Sequence, residues 1–160
     1  MNTSEIYHLK RILVTNIFKK QVWTKDILIE DIVHDDNYCE VTILPSIFST
    51  IAFAKRTVRY EKFRLADYKF KEQDQFLIVP KAKGVSPVAL INYMNEVYVN
   101  SVNVVEHEDT NTILKGFQRT LSLLDLNTFT LNNPEQNTTV FLSARNDSLF
   151  FSGNLTVKFI

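Results

Sequence analysis

The chain holds one cysteine, three glycines and four prolines in 160 residues, and no apolar run long enough to cross a bilayer. Each shortage removes a class of explanation. A lone Cys39 excludes an internal disulfide framework and any multi-thiolate metal site within one chain, so a reduced, inert thiol is expected. So few glycines leave no glycine-rich phosphate loop of the kind many nucleotide enzymes use. The opening MNTSEIYHLKR lacks the apolar centre of a secretory leader, which predicts a soluble, unsecreted protein. The Asn-x-Ser/Thr matches at Asn2, Asn137, Asn146 and Asn154 then read as turns. Charge of one sign is also missing. Lys plus Arg number 18 and Asp plus Glu number 18, so no net field draws the chain to nucleic acid or to an anionic membrane.

Apolar and aromatic mass is plentiful. Hydrophobic residues make up 45% of the chain, with twelve Phe and six Tyr, enough for a full core and for partner contacts beyond it. The C-terminal stretch Val140 to Phe159, VFLSARNDSLFFSGNLTVKF, matches Val41 to Tyr60, VTILPSIFSTIAFAKRTVRY, without a gap at an offset of 99 residues. Val41/Val140, Ser49/Ser148, Thr57/Thr156 and Val58/Val157 are identical, and Ile43/Leu142, Ile51/Phe150, Ala54/Gly153, Arg59/Lys158 and Tyr60/Phe159 keep size or charge. Alternating strand sequence produces such matches cheaply, and internal duplication is the reading carried forward as an expectation.

Local signals predict an α+β fold of two related helix-plus-antiparallel-sheet units. Asn2 to Glu5 offers caps, and Ile6, Leu9, Leu13 and Ile17 at helical spacing predict a helix over about 4–20. Strands are predicted at Ile27 to Val33 and Cys39 to Leu44 around the turn His34 to Asn37, with Pro45 ending the second. Ile51 to Phe53 and Arg56 to Phe63 read as a hairpin. Ser86-Pro87 starts a second helix through Val88, Ile91, Met94 and Tyr98. Tyr98 to Ser101 then corresponds to Val22 to Lys25 at an offset of 76 residues, with a strand at Val102 to Glu106. This places the units at 1–70 and 85–160, a charged connector at 71–84, and an insertion at about 107–136 within the second unit. Ile113, Leu114, Phe117, Leu121 and Leu124 sit at helical spacing in that insertion, and Leu155 to Ile160 alternates as a final strand.

Catalytic chemistry finds little to work with. His34 stands with Asp35 and Asp36, and His107 with Glu106, Glu108 and Asp109, both reading as solvated acidic turns that match no ligand spacing; His8 stands apart. Cys39 has no orienting partner beside His34, and Glu30-Asp31 would point to opposite strand faces. No catalytic residue, cofactor or metal is expected. Lys55, Arg56, Arg59, Lys62, Arg64, Lys69 and Lys71 form a basic strip with Tyr60, Phe63 and Tyr68, but Glu61, Asp67, Glu72 and Asp74 interleave it. A small adaptor or nucleic-acid-binding module using that strip is the alternative to a mixed interfacial surface.

Asn137-Thr138-Thr139-Val140 through Ala144, Ser148, Phe151, Gly153, Val157 and Phe159, with Leu90-Ile91-Asn92, Asn100-Ser101 and Val104-Val105 upstream, resembles a small module found, often repeated, in structural proteins of large contractile-tailed bacteriophages. Tyr60 to Asp67 resembles that module's exit, an aromatic and a basic residue leading into Leu-Ala-Asp. The first copy departs from the pattern with Pro45 and Ala54 where the module has Ala and Gly. The resemblance implies a virion component of tail, neck or capsid, made in the host cytoplasm, contacting other virion proteins and copies of itself, with no nucleic acid, membrane or cofactor. Tyr60, Phe63, Arg64 and Tyr68 in the exit, and Phe117, Leu121 and Leu124 in the insertion, are the partner-contact candidates.

Overall fold

The computed structural model describes residues 3–68, 75–83, 85–101, 104–105, 117–131 and 139–160, and the fold is α+β. The chain divides into two units: Met1–Lys62 with Ser101–Gln118, and Phe63–Asn100 with Arg119–Ile160.

In the first unit, helix α1 (Thr3–Asn16) buries Leu9 and Leu13, the heart of the predicted apolar stripe. It stops short of residue 20 because Lys19 and Lys20 both take left-handed backbone, φ 51° and 66°. The Lys20 amide donates to the Val14 carbonyl at 2.9 Å, capping the last turn. Strands β1 (Ile27–His34) and β2 (Tyr38–Pro45) form a hairpin. Its turn is closed by the Asp35 carboxylate, which accepts from the amides of Asn37 (2.8 Å) and Tyr38 (2.9 Å). Those amide bonds hold the Asp35 carboxyl below its ordinary range. Strand β3 (Arg56–Glu61) pairs with β2 and, on its far side, with a short strand at Val104–Val105 that follows it in the order β1-β2-β3. Alternation sends Cys39, Val41, Ile43, Val58 and Tyr60 into one buried face.

In the second unit, helix α2 (Pro87–Val97) starts where expected, with the Ser86 hydroxyl accepting from the Ala89 amide at 3.1 Å, and it buries Leu90, Ile91 and Met94. Numbered in chain order, the remaining strands are β4 (Phe63–Arg64), β5 (Leu77–Val79), β6 (the Val104–Val105 strand of the first unit), β7 (Thr139–Ser143), β8 (Phe151–Ser152) and β9 (Asn154–Phe159). A three-stranded sheet runs β5-β9-β7, and β4 pairs in parallel with β8.

The strand registers of the two units coincide at the 99-residue offset. Val41 faces Val58, and Val140 faces Val157; Ile43 faces Arg56, and Leu142 faces Leu155. Val58 and Val157 are both fully buried. The turns ahead of the strands coincide as well. The Ser46 amide donates to the Asp26 carbonyl at 2.8 Å, as the Arg145 amide does to the Asp125 carbonyl at 2.9 Å. The counterpart of Val22 to Asp26 is therefore Leu121 to Asp125, not Tyr98 to Ser101.

Several local expectations change in three dimensions. Ile51 to Phe53 is not a strand, and β3 takes β2 as its hairpin partner, because eight residues of β2 offer a matched apolar face. Phe117 to Leu126 is not helical: it is extended around a 3-10 turn at Leu123–Asp125, while Ile113 and Leu114 lie outside the described residues. Leu77–Val79, in the stretch expected as connector, is a strand in register with Val157 to Phe159.

Candidate interaction surface

Two adjoining turns at one end of the first unit's sheet carry its most exposed apolar side chains. Asp26, fully buried, accepts the Trp23 amide at 2.7 Å and closes the 3-10 turn Thr24–Asp26. The Ser46 hydroxyl donates to the Lys25 carbonyl and accepts the Phe48 amide at 3.2 Å, and the Ser49 amide donates to the Ser46 carbonyl at 3.0 Å. These bonds tie the loop after β2 to the turn before β1, so the side chains between them are presented on fixed backbone. Trp23 is 74% exposed, Ile47 92% and Phe48 69%. Leu28 and Ile51 are exposed beside them in the sequence of the same two segments. No charged residue occurs between Val41 and Ala54. Large exposed apolar side chains held on two turns that are tied to each other suit an interaction site better than scattered surface hydrophobes do.

The second unit distributes its apolar residues differently on the same turns, exposing Leu123 and Leu124 on its 3-10 turn. At the 99-residue offset, Trp23, Leu28, Ile47 and Phe48 become Ser122, Asn127, Asn146 and Asp147. Asp147 pairs with Arg145 at 3.2 Å, and Leu149, Phe150 and Phe151 of this loop turn inward to full burial. The loop after β7 is thus polar where the loop after β2 is apolar, on the same turn geometry.

The contact candidates expected from sequence are mostly interior. Tyr60, Phe63, Tyr68, Phe117 and Leu121 are buried, leaving Arg64 and Leu124 exposed. Tyr60 meets Phe117 edge-on at 5.3 Å, and Phe63 packs on Phe151 at 5.4 Å. Sequence pattern identified them as apolar but could not tell core from contact, because both are rich in aromatics. The charge-free stretch 41–54 is the sequence signal for Ile47 and Phe48, whereas Trp23, between Lys20 and Lys25, has none.

The basic strip is dispersed. Lys62 is buried, with Nζ 2.9 Å from His34 Nδ1, and burial lowers its pKa. Arg56 lies over the Phe18 ring at 5.3 Å, Arg59 over Tyr38 at 3.9 Å, Lys55 pairs with Glu30, and Arg64 pairs with Asp67 at 3.3 Å. Lys69 and Lys71, like His107, lie outside the described residues.

Cys39 is fully buried, which pushes its thiol up to about 11 and keeps it protonated and unreactive near neutral pH. A cleft of about 580 Å³ beside α1 is lined by His8, Arg11, Thr15, Asn16, Ser101 and Gln118, with no carboxylate or thiol among its described lining residues. Among the described residues no group of three His, Cys, Asp or Glu side chains is placed to hold a metal, and no helix is long and apolar enough to cross a membrane.

No family model, curated protein or solved structure matches the chain.

Proposed function

We propose that this chain is a non-enzymatic structural component of a tailed bacteriophage virion, made in the host cytoplasm and assembled in multiple copies through protein-protein contacts. The observation that carries the contact role is the apolar tip of Trp23, Ile47 and Phe48, held on hydrogen-bonded turns at positions where the second unit has Ser122, Asn146 and Asp147. A rigid tip loses little side-chain and loop entropy on docking, which suits an assembly contact. The phage context rests on the resemblance of 137–159 and 60–67 to repeated virion modules. Net neutrality and the dispersal of the basic strip give a nucleic-acid role no favouring observation.

The test is mass spectrometry of purified particles together with Ile47→Asn and Phe48→Asp, which transplant the second unit's residues into the first. Both side chains are exposed, so stability should shift by no more than about 0.5 kcal/mol. The double variant should fold and be depleted from particles. Wild-type incorporation of that variant, or absence of the unmodified chain from particles, would overturn the reading.

A further inference from the structure

The first unit's sheet carries opposite charge at its two ends. At the end where Ile27 pairs with Pro45 stand the exposed Trp23, Ile47 and Phe48. Lys19, Lys20 and Lys25 are exposed in the chain on either side of Trp23. Across 17–28 and 42–54 the only carboxylate is Asp26, which is fully buried in the turn. The tip is therefore apolar with a cationic border.

At the other end, where His34 pairs with Cys39, the sign reverses. The register sets Val33 opposite Glu40, Asp31 opposite Thr42, and Tyr38 opposite Glu61. Cys39, Val41 and Val58 take the inner face, so alternation sends Asp31, Val33, Glu40 and Glu61 to the outer face together. Val33 is 61% exposed there, and Asp35 and Asp36 are exposed on the turn that follows it. The cations at this end are engaged locally. Arg59 lies over the Tyr38 ring at 3.9 Å, and Lys62 is buried with its Nζ 2.9 Å from His34 Nδ1. This end is an apolar spot with an anionic border.

We infer that the first unit joins head to tail with a second copy of this chain, the Trp23, Ile47 and Phe48 tip of one copy seated over Val33 of the next. Lys20 and Lys25 then meet Asp31, Glu40 and Glu61. A chain with 18 cations and 18 anions that separates the two signs to opposite ends of one sheet is complementary to itself. The two patches are different surfaces, so the contact is heterologous and repeats: it gives a ring where the rotation closes and a filament where it does not. This rests on the reading of the tip as an assembly contact and names its partner. Its test uses the purified chain without particles, so a monomeric chain would leave incorporation into particles standing.

Sedimentation velocity of the full-length chain at low salt provides that test. The unmodified chain should form species larger than a dimer that shrink as salt is raised. Phe48→Asp removes the donating side, and Asp31→Lys with Glu40→Lys removes the accepting side. All three positions are exposed, so the melting temperature should stay at the wild-type value. Each variant alone should weaken association by about tenfold or more. Mixed in equal amounts, the two should form a dimer and nothing larger, because one still donates a tip and the other still offers an acidic end. Adding Lys20→Glu and Lys25→Glu to the Asp31→Lys, Glu40→Lys chain should restore the larger species. A chain that stays monomeric, or a mixed pair that does not dimerise, overturns the proposal. Association lost in Phe48→Asp but unchanged in the acid variant overturns it in favour of a tip-to-tip contact. Binding to phosphatidylglycerol vesicles without self-association overturns it in favour of a lipid surface.

Discussion

Asp26 and Asp125 occupy the same position in the same turn, yet the two units satisfy them differently. Each carboxylate accepts the amide three residues before it, from Trp23 at 2.7 Å and from Ser122 at 2.9 Å. Asp125 is also gripped by Arg119, whose Nη1 lies 2.8 Å from both carboxylate oxygens while the guanidinium stacks over Phe150 at 4.5 Å. Asp26 has no such partner: its Oδ1 is buried without a hydrogen bond among the described residues, and Lys20, at the Arg119 position, is exposed on left-handed backbone. A turn can therefore be held by its carboxylate–amide bond without a charge clamp. The charge clamp belongs to the unit whose loop folds inward, and the unclamped turn belongs to the unit that carries the exposed tip.

The largest expected effect separates the two acids. Asp125→Asn leaves a buried guanidinium without its counter-charge and should cost about 3–5 kcal/mol in urea unfolding. Asp26→Asn keeps an acceptor for the Trp23 amide and removes an oxygen that has no partner, so it should stay within about 1 kcal/mol of wild type. Equal losses in both variants would break the comparison.

Alkaline unfolding sharpens it, because the Cys39 thiol of the first unit and the Tyr68 phenol of the second are both buried. Burial raises Cys39 from 9.0 to about 11 and Tyr68 from 10.0 to about 12. The folded state holds both protons more tightly than the unfolded chain. The Cys39 contribution is therefore complete below pH 9 and lost as pH rises through about 11, and that of Tyr68 is complete below pH 10 and lost through about 12. Each is worth roughly 2–3 kcal/mol. Stability followed by chemical denaturation should fall from pH 9 upward, and Cys39→Ala should delay the onset by about one pH unit. A decline that begins below pH 9 would show that another group governs it.

The smallest effect concerns the loop after β2. In the loop after β7 the Ala144 amide donates to the Gly153 carbonyl at 3.0 Å, and Gly153 has φ +84°, a backbone conformation that side chains disfavour. Pro45 and Ala54 stand at those positions in the loop after β2, and Pro45 has no amide hydrogen to donate. Pro45→Ala combined with Ala54→Gly gives the first unit the amide donor and the backbone freedom that Ala144 and Gly153 supply in the second. Amide exchange should slow at residues 52–55 and the new amide at position 45 should be protected, while overall stability changes by no more than about 1 kcal/mol. Unchanged exchange would mean that the open loop has another cause.

Much of this contrast was legible in the residues. Helix α2 could be read from Ser86-Pro87, the first hairpin from alternation around His34 to Asn37, and β9 from alternation through Leu155 to Phe159, because these signals are local. At the 99-residue offset, Val41 and Val140, and likewise Val58 and Val157, hold matching register positions. Pro45 and Ala54 marked the loop that departs. The end of α1 at Asn16 was hidden because nothing in Lys19 or Lys20 announces positive φ. The 3-10 turn at Leu123–Asp125 was hidden behind helical spacing in residues that bury through tertiary contact.

By itself the sequence determined the α+β class, the apolar faces and the matched strand pairs, since each depends on residue type and short-range spacing. Only tertiary structure decided which aromatics are core and which are surface. Tyr60, Phe63, Tyr68 and Phe117 sink while Trp23, Ile47 and Phe48 stay out, because burial depends on whether a strand or ring from far along the chain arrives to cover them. Phe63 reaches Phe151 across 88 residues of sequence, and no described residue forms the equivalent pairing at Ala52.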